Sequence, residues 1–491
     1  MAEQVEEPAV RPSDPRGGPK VLMRKRDGSY TWQVIAGSAT LGLAVAAGAV
    51  LAAGPWDNGQ RKAERALAVA ADRTGGAHHG RTAPGGPRPA PSAAAVLPAL
   101  GTSTRDAPRD TAGLRDALTP LVRAPGLGNK LAASVVDTAT GEQLYGHGAT
   151  TPMTPASTIK IATTAAALSV LGPDHRIATT AALSPDSRTL TLVGGGDPTL
   201  TEADLRPMAT DAAAALRGED RKSVRLAYDV SRYTGPVLHP ISPNDNIAPV
   251  TALMVNEGRL NGSDRGHAPR TDDPAGDAAR AFARALEKAG VEVTGAPREA
   301  RAAEGARTVA THRSAPLAAL AERTLTNSDN DIAEALARQT AIAKGEKASF
   351  AGARRAVTNE LKKLQVPVAG AHFADGSGLD REDRVTPALL TALLARAADP
   401  DRPGLRHVLT GLPIAGFTGT LDGRYGRDAA GTGLVRAKTG TLQGVNSLAG
   451  TVVDRQGRLL AFAFLASGSA SAAEAEPALD ALATALAGTG G

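Results

Sequence analysis

Ser157-Thr158-Ile159-Lys160 sets a hydroxyl and an amine three residues apart at the start of an apolar helical run. On a helix those positions are neighbours on one face, so the Lys160 amine reaches the Ser157 oxygen without help from another element. A serine hydroxyl is a weak nucleophile until a base takes its proton, and a lysine held uncharged by burial is such a base. A helix start also leaves unpaired backbone N–H groups, of which that of Ser157 is placed to hold an oxyanion. The chemistry these parts suit is attack on a carbonyl. No other serine in the chain has a lysine three residues later.

Two further elements lie downstream in the order such an enzyme requires: Ser328-Asp329-Asn330, then Lys438-Thr439-Gly440 followed by Thr441. Ser242-Pro243-Asn244 also fits Ser-x-Asn, but it stands among Pro240, Pro243 and Pro249, which is a loop signature. Ser328 falls instead at a break between two helical patterns, where a side chain projects into a cleft. Lys438 ends the run Leu434-Val435-Arg436-Ala437, a strand entering a Gly-rich turn, and Val445 to Val453 reads as the partner strand. The outer strand of that hairpin is free to present backbone to a substrate.

The trio SxxK, SDN and KTG recurs in class A β-lactamases and penicillin-binding proteins. The chain resembles the low-molecular-mass class C penicillin-binding proteins, the penicillin-binding protein 4 type of D-alanyl-D-alanine carboxypeptidase and endopeptidase. The likeness extends to Gly195-Gly196-Asp197-Pro198-Thr199-Leu200, to Asp331-Ile332-Ala333-Glu334 after the second motif, to Asp375-Gly376-Ser377-Gly378-Leu379 and to Gly416-Phe417-Thr418-Gly419-Thr420-Leu421. It covers roughly Thr111 to Ala487, and the long interval between Ser157 and Ser328 also suits this family.

The resemblance implies that Ser157 is acylated by the penultimate D-alanine carbonyl of a peptidoglycan stem peptide, with Lys160 as base. It implies that Ser328 and Asn330 relay protons and hold the peptide amide. Lys438 with Thr439 would face the terminal carboxylate, Gly440 would belong to the same substrate-binding stretch, and the Thr441 N–H would complete the oxyanion hole beside that of Ser157. β-Lactams would then be inhibitors. The central Asp329, where the family often has Asn, raises a class A-like β-lactamase as the alternative. That enzyme needs a deacylating Glu-x-x-Leu-Asn between the second and third motifs, and none of Glu334, Glu346, Glu360 or Glu382 begins one. A catalytically inactive wall-binding protein is a further alternative, against which both Ser157 and Lys160 stand intact.

Positioning these parts takes an α+β fold. The peptidase domain is expected in two stretches, 109–183 and 308–491, with strands at both ends of the chain and helices between. That pattern, together with the resemblance, predicts a β-lactamase/transpeptidase-like antiparallel sheet covered by helices on both faces. Residues 184–307 mix the strand pattern of Thr189 to Val193 with a helical stretch from Asp277 to Ala289, and read as an inserted α/β module between the first and second motifs.

Upstream, residues 1–31 read as a cytoplasmic disordered tail and 32–56 as a transmembrane anchor. No charged residue falls between Gly28 and Trp56, and Lys20, Arg24, Lys25 and Arg26 precede that stretch. Residues 57–108 are a Pro/Ala/Gly-rich linker with almost nothing to bury. The expected location is the cell membrane, single-pass, with the catalytic domain outside, or secretion if the leader is cleaved. Net charge is +5 and the pI about 9.5, suited to an anionic wall or membrane surface. Aromatics are 3% of the chain, too few for the stacking face of a nucleic-acid binder. With no cysteine and nine scattered histidines, neither a disulfide nor a metal or cofactor site is expected.

Overall fold

The computed structural model describes residues 111–489 apart from 243, 427 and 428. The tail, anchor and linker expected at 1–108 lie outside the described residues. Among the described residues no helix is long and apolar enough to cross a membrane.

In chain order the first elements are α1 (Thr111–Leu121), β1 (Lys130–Asp137), β2 (Gln143–His147) and α2 (Lys160–Leu171). Then come β3 (Ala178–Leu183), β4 (Thr189–Val193), α3 (Glu202–Gly218), β5 (Ser223–Asp229), α4 (Pro274–Lys288), β6 (Glu292–Val293), β7 (Arg298–Glu299) and β8 (Arg307–Arg313). The last third holds α5 (Leu317–Asn327), α6 (Asn330–Ala343), α7 (Phe350–Lys363), α8 (Pro387–Ala398), β9 (Arg436–Leu442), β10 (Val445–Val453), β11 (Leu459–Ser467) and α9 (Ala472–Gly488).

Five strands from the two ends of the chain form one sheet in the order β2-β1-β11-β10-β9, every neighbouring pair antiparallel. Alternation along β11 decides what each face receives. Leu460, Phe462 and Phe464 point to a core closed by Leu114 and Leu118 of α1 and by Leu479, Leu482 and Leu486 of α9. The intervening Ala461, Ala463 and Leu465 face the opposite layer, where α2, α5, α6 and α8 pack. Small residues there let the helices approach closely. α2 is buried all round from Lys160 to Leu168, as a helix apolar on every face must be. The expected antiparallel sheet with helices on both faces is therefore the observed one, and β9, which carries the third motif, is its edge.

A second, mixed sheet runs β6-β5-β4-β3-β8, with β7 also on β5. β4, β6 and β7 lie parallel to β5, whereas β3 is antiparallel to both its neighbours. Leu205, Met208 and Leu216 of α3 and Phe282 and Leu286 of α4 bury against Leu190, Leu192 and Leu226 of this sheet. Thr201 and Asp204 start α3 with a reciprocal capping box. The seams expected at 183/184 and 307/308 cut through this sheet. Among the described residues β3 pairs with β4 and β8 alone, so the chain passes into the module before Ala178 and leaves it after Arg313. A strand pattern in sequence does not say which sheet the strand joins.

Candidate active site

Ser157 stands in a 3-10 turn, Ala156–Ile159, that runs directly into α2. The turn is held in an unusual shape: fully buried Ala156 has φ +47°, a left-handed conformation that a Cβ disfavours. Pro155 O accepts hydrogen bonds from Thr158 Oγ1 at 2.7 Å and from Ser447 Oγ at 2.6 Å, the latter tying the turn to β10. Lys160 is fully buried. Its Nζ donates to Ser157 Oγ at 2.9 Å, to Asn330 Oδ1 at 2.7 Å and to the Ser377 carbonyl at 2.5 Å. Burial pushes the Lys160 pKa down to about 8, against the pull of the Asp375, Asp329, Glu334 and Asp383 carboxylates. A neutral amine is thus accessible near physiological pH.

The second motif sits at the junction of α5 and α6. Ser328 is half-buried and closes α5 in the left-handed conformation, φ 59° and ψ 38°. Asp329 caps α6 by accepting from the Ile332 N–H at 3.0 Å, and its other oxygen is 3.7 Å from Arg323. The acid at the centre of this motif therefore has a cap and an arginine as partners. Asn330 opens α6, gives Oδ1 to Lys160 and donates from Nδ2 to the Asn246 carbonyl of the inserted module at 3.0 Å.

On β9, Lys438 is fully buried and donates to the Thr439 carbonyl at 2.7 Å. Burial, helped by the positive Lys160, holds its pKa well below the usual lysine range. Thr439 Oγ1 donates to Thr420 Oγ1 at 2.8 Å, which docks the Gly416–Leu421 stretch beside the motif. Gly440 pairs across the hairpin with Ser447, and a Cβ placed on it would lie 2.2 Å from Ser447 Oγ, 2.7 Å from Pro155 O and 3.0 Å from Ser157 N. The absent side chain is what lets the edge strand close on the nucleophile. Thr441 follows, exposed and paired with Asn446.

Ser157, Lys160 and Asn330 thus share one hydrogen-bonded group, and Gly440 lies against the Ser157 backbone. Ser328, Lys438, Thr439 and Thr441 make no hydrogen bond to Ser157 or to Lys160 among the described residues. Sequence reasoning missed the floor beneath them. Asp375 accepts from the Ser377, Gly378 and Asp380 N–H groups at 3.0, 2.6 and 2.8 Å. Glu334 Oε1 accepts from the Gly376 and Ser377 N–H groups at 2.9 and 3.0 Å. These two acids shape the turn whose Ser377 carbonyl receives Lys160. The signal was the glycine pair in Asp375-Gly376-Ser377-Gly378. A Cβ on Gly378 (φ +84°) would lie 2.1 Å from the Ala156 carbonyl, so close approach was written in its residue type.

Fold and site together define a class: a penicillin-binding-protein type serine enzyme whose active-serine domain carries a large inserted module. Comparison with known sequences gives the family. The chain belongs to the D-Ala-D-Ala carboxypeptidase 3 (S13) family, whose sequence profile matches residues 114–265 and 260–488, and it is a D-alanyl-D-alanine carboxypeptidase. A carboxypeptidase of Mycobacterium tuberculosis is 38% identical over 424 residues, covering 82% of this chain and 88% of that one. Carboxypeptidase DacB of Mycolicibacterium smegmatis is 37% identical over 421 residues, 81% of this chain and 89% of the relative. The D-alanyl-D-alanine carboxypeptidase of an Actinomadura species is 31% identical over 446 residues, 72% and 81% of the two chains. Among solved structures, penicillin binding protein 4 of Haemophilus influenzae superposes with a TM-score of 0.62 at 23% identity, covering 74% of this chain and 94% of that one. The same protein complexed with a β-lactam gives 0.59 at 22% identity over the same shares. At that identity the likeness speaks to the fold, and it agrees with the expected α+β architecture.

Proposed function

We propose that the enzyme trims peptidoglycan stem peptides through an acyl-enzyme on Ser157, and that β-lactams acylate the same serine. The observation that carries this reading is the 2.9 Å contact between Lys160 Nζ and Ser157 Oγ at a lysine with no exposure to solvent. Neutral Lys160 takes the Ser157 proton as the oxygen attacks the penultimate D-alanine carbonyl. The oxyanion is held by the N–H groups of Ser157 and Thr441. Lys438 and Thr439 face the substrate's terminal carboxylate, whose arriving negative charge favours the protonated form of the buried Lys438 amine. Ser328 and Asn330 hold the peptide amide and pass a proton to the departing D-alanine nitrogen. Water then attacks the ester with Lys160 again as base, and the shortened stem leaves.

The same residues would cleave a crosslink between stems, where the leaving amine belongs to a neighbouring peptide, and would react with a β-lactam because it presents a carbonyl and a carboxylate in like positions. The apolar stretch from Gln33 to Gly54 supports a single-pass anchor, with the linker after it letting the peptidase reach the wall.

Intact-mass analysis after exposure to a penicillin tests the reading. A persistent adduct on the wild-type protein, absent from Ser157→Ala and Lys160→Ala variants that keep their fold, is the expected result. Rapid turnover of the adduct would favour the β-lactamase, and no wild-type adduct the inactive wall binder. Synthetic stems set against crosslinked dimers apportion the carboxypeptidase and endopeptidase activities.

A further inference from the structure

Beneath the nucleophile, a histidine of the inserted module meets the peptidase core. His239 lies between β5 and α4 in a stretch without regular structure, and it is buried, with the Phe350 ring meeting it edge-on at 5.5 Å between centroids. Its Nε2 is 2.9 Å from Asp375 Oδ2, and its Nδ1 accepts from the Ile241 N–H at 3.3 Å. With Nδ1 an acceptor, Nε2 carries the hydrogen and donates it to the carboxylate. Asp375 in turn gathers the Ser377, Gly378 and Asp380 N–H groups and the Ser377 hydroxyl. The Ser377 carbonyl of that turn receives Lys160 Nζ.

We propose that His239 is a positioning residue for Lys160: its Nε2–H, delivered by the inserted module, fixes the Asp375 carboxylate and with it the turn that anchors the lysine. The proposal rests on Lys160 being the base of acylation. Asp375 heads the carboxylates that favour the charged form of Lys160, ahead of Asp329, Glu334 and Asp383, while the positive Lys160 in turn disfavours a charge on Lys438. Asp375, Glu334 and Asp380 face His239. Without the histidine's hydrogen bond the Asp375 charge is less neutralised and the turn loosens. Lys160 then keeps its proton to higher pH, and the base is weaker where it is needed.

The test compares His239→Gln with His239→Asn in the full chain. A glutamine amide falls near the Nε2 position and keeps the donor to Asp375; an asparagine amide falls near Nδ1 and loses it. The readout is the pH dependence of acylation by a fluorescent penicillin. The expected result is an acidic limb about one pH unit higher in His239→Asn, with labelling at pH 7 slowed roughly tenfold, and a limb close to wild type in His239→Gln. Equal limbs in the two variants overturn the proposal, since a role confined to packing lowers stability without moving the limb of one relative to the other. Imidazole 15N shifts of the wild-type protein decide it without any variant: Nε2 must be protonated, and a bare Nε2 overturns it. Failure of the underlying reading looks different. There Lys160→Ala labels as fast as wild type, and the proposal falls with the base.

Discussion

Gly440→Ala offers a direct trial of the site geometry, because one methyl group meets three named atoms. The nearest, Ser447 Oγ at 2.2 Å, swings away only by giving up its 2.6 Å bond to Pro155 O, which costs about 1 kcal/mol. The other two do not swing. Pro155 O at 2.7 Å and Ser157 N at 3.0 Å are backbone of the nucleophile turn, so β9 must retreat by roughly half to one ångström to restore ordinary contact. Thr441 follows Gly440 on the same strand, and its N–H retreats with it. Misplacing catalytic geometry by about 1 Å costs on the order of a hundredfold in rate, and losing one oxyanion donor costs about as much or more. The expected outcome is acylation by a chromogenic β-lactam, and D-alanine release from a stem peptide, slowed by roughly 10²-fold. Overpacking at an edge strand costs only about 1–3 kcal/mol of stability, so the protein stays folded at 25 °C. Ser447→Ala added to Gly440→Ala removes the nearest clash alone and is expected to recover only part of the rate. A folded Gly440→Ala protein that acylates within about threefold of wild type refutes the argument that the closed approach of β9 builds the oxyanion hole.

In the proposed mechanism acylation depends on neutral Lys160, whose pKa is pushed down to about 8. The rate is therefore expected to rise with pH through that value and level off above it, and stopped-flow labelling from pH 6 to 10 reads this directly. Stability follows the opposite slope below pH 8. Burial, with Asp329 and Asp331 for Glu257 and with Asp329 for Asp331, raises those folded-state pKa values to about 8 and about 7. Between the ordinary carboxylate range and those values the native state holds more protons than the unfolded chain, so stability is lost as pH rises. The melting temperature is expected to fall from pH 5 to 8, and a rise across that window would contradict the shifts. Glu334→Ala strips the partner from Arg338, a buried pair 2.8 Å apart, and removes the acceptor for the Gly376 and Ser377 N–H groups. A loss of about 3–5 kcal/mol in urea unfolding is expected, with acylation reduced even where the protein remains folded.

What the sequence disclosed and what it withheld divide along physical lines. Ser157 and Lys160 were legible because one helical turn fixes their relation, and local spacing is what sequence displays. β9 and β10 were legible as adjacent paired strands, but the strand expected to end at Lys438 continues through Gly440 to Leu442, and only Gln443-Gly444 connects the two. The Ser377 carbonyl is a backbone atom with no residue preference to betray it, and Glu334 was weighed only as a deacylating acid, a role its surroundings do not suit. Its position four residues before Arg338 marked an ion pair, but not that the pair would lie beneath the nucleophile. His239, among prolines in a loop, carried no periodic signal at all. Asp329 was read as a pointer toward β-lactamases, whereas its carboxylate caps α6 and faces Arg323. The identity of this central residue reports on the helix start it serves.

The inserted module does more than border the cleft. Asn246 O receives Asn330 Nδ2, the Ala248 N–H donates to Asp331 at 3.0 Å, and Arg270 lies 3.0 Å from the same carboxylate. Around them Glu257, Asp329 and Asp331 face Arg259, Arg270 and Arg323, three acids against three bases. Five of the six are almost wholly shut off from water. An apolar interface of the same volume would hold the two parts together at no smaller stability, since desolvating charges costs what their attraction returns. What acids paired with guanidinium groups add, ionised or hydrogen-bonded, is direction. A carboxylate and a guanidinium meet in few geometries, whereas apolar faces slide. The network spans both flanks of Asn330, the residue that shares Lys160 with the nucleophile, so its geometry is passed to the base through a single side chain. The inserted module thus contacts Asn330 and its neighbour Asp331, and unfolding it is expected to disturb the register of the second motif.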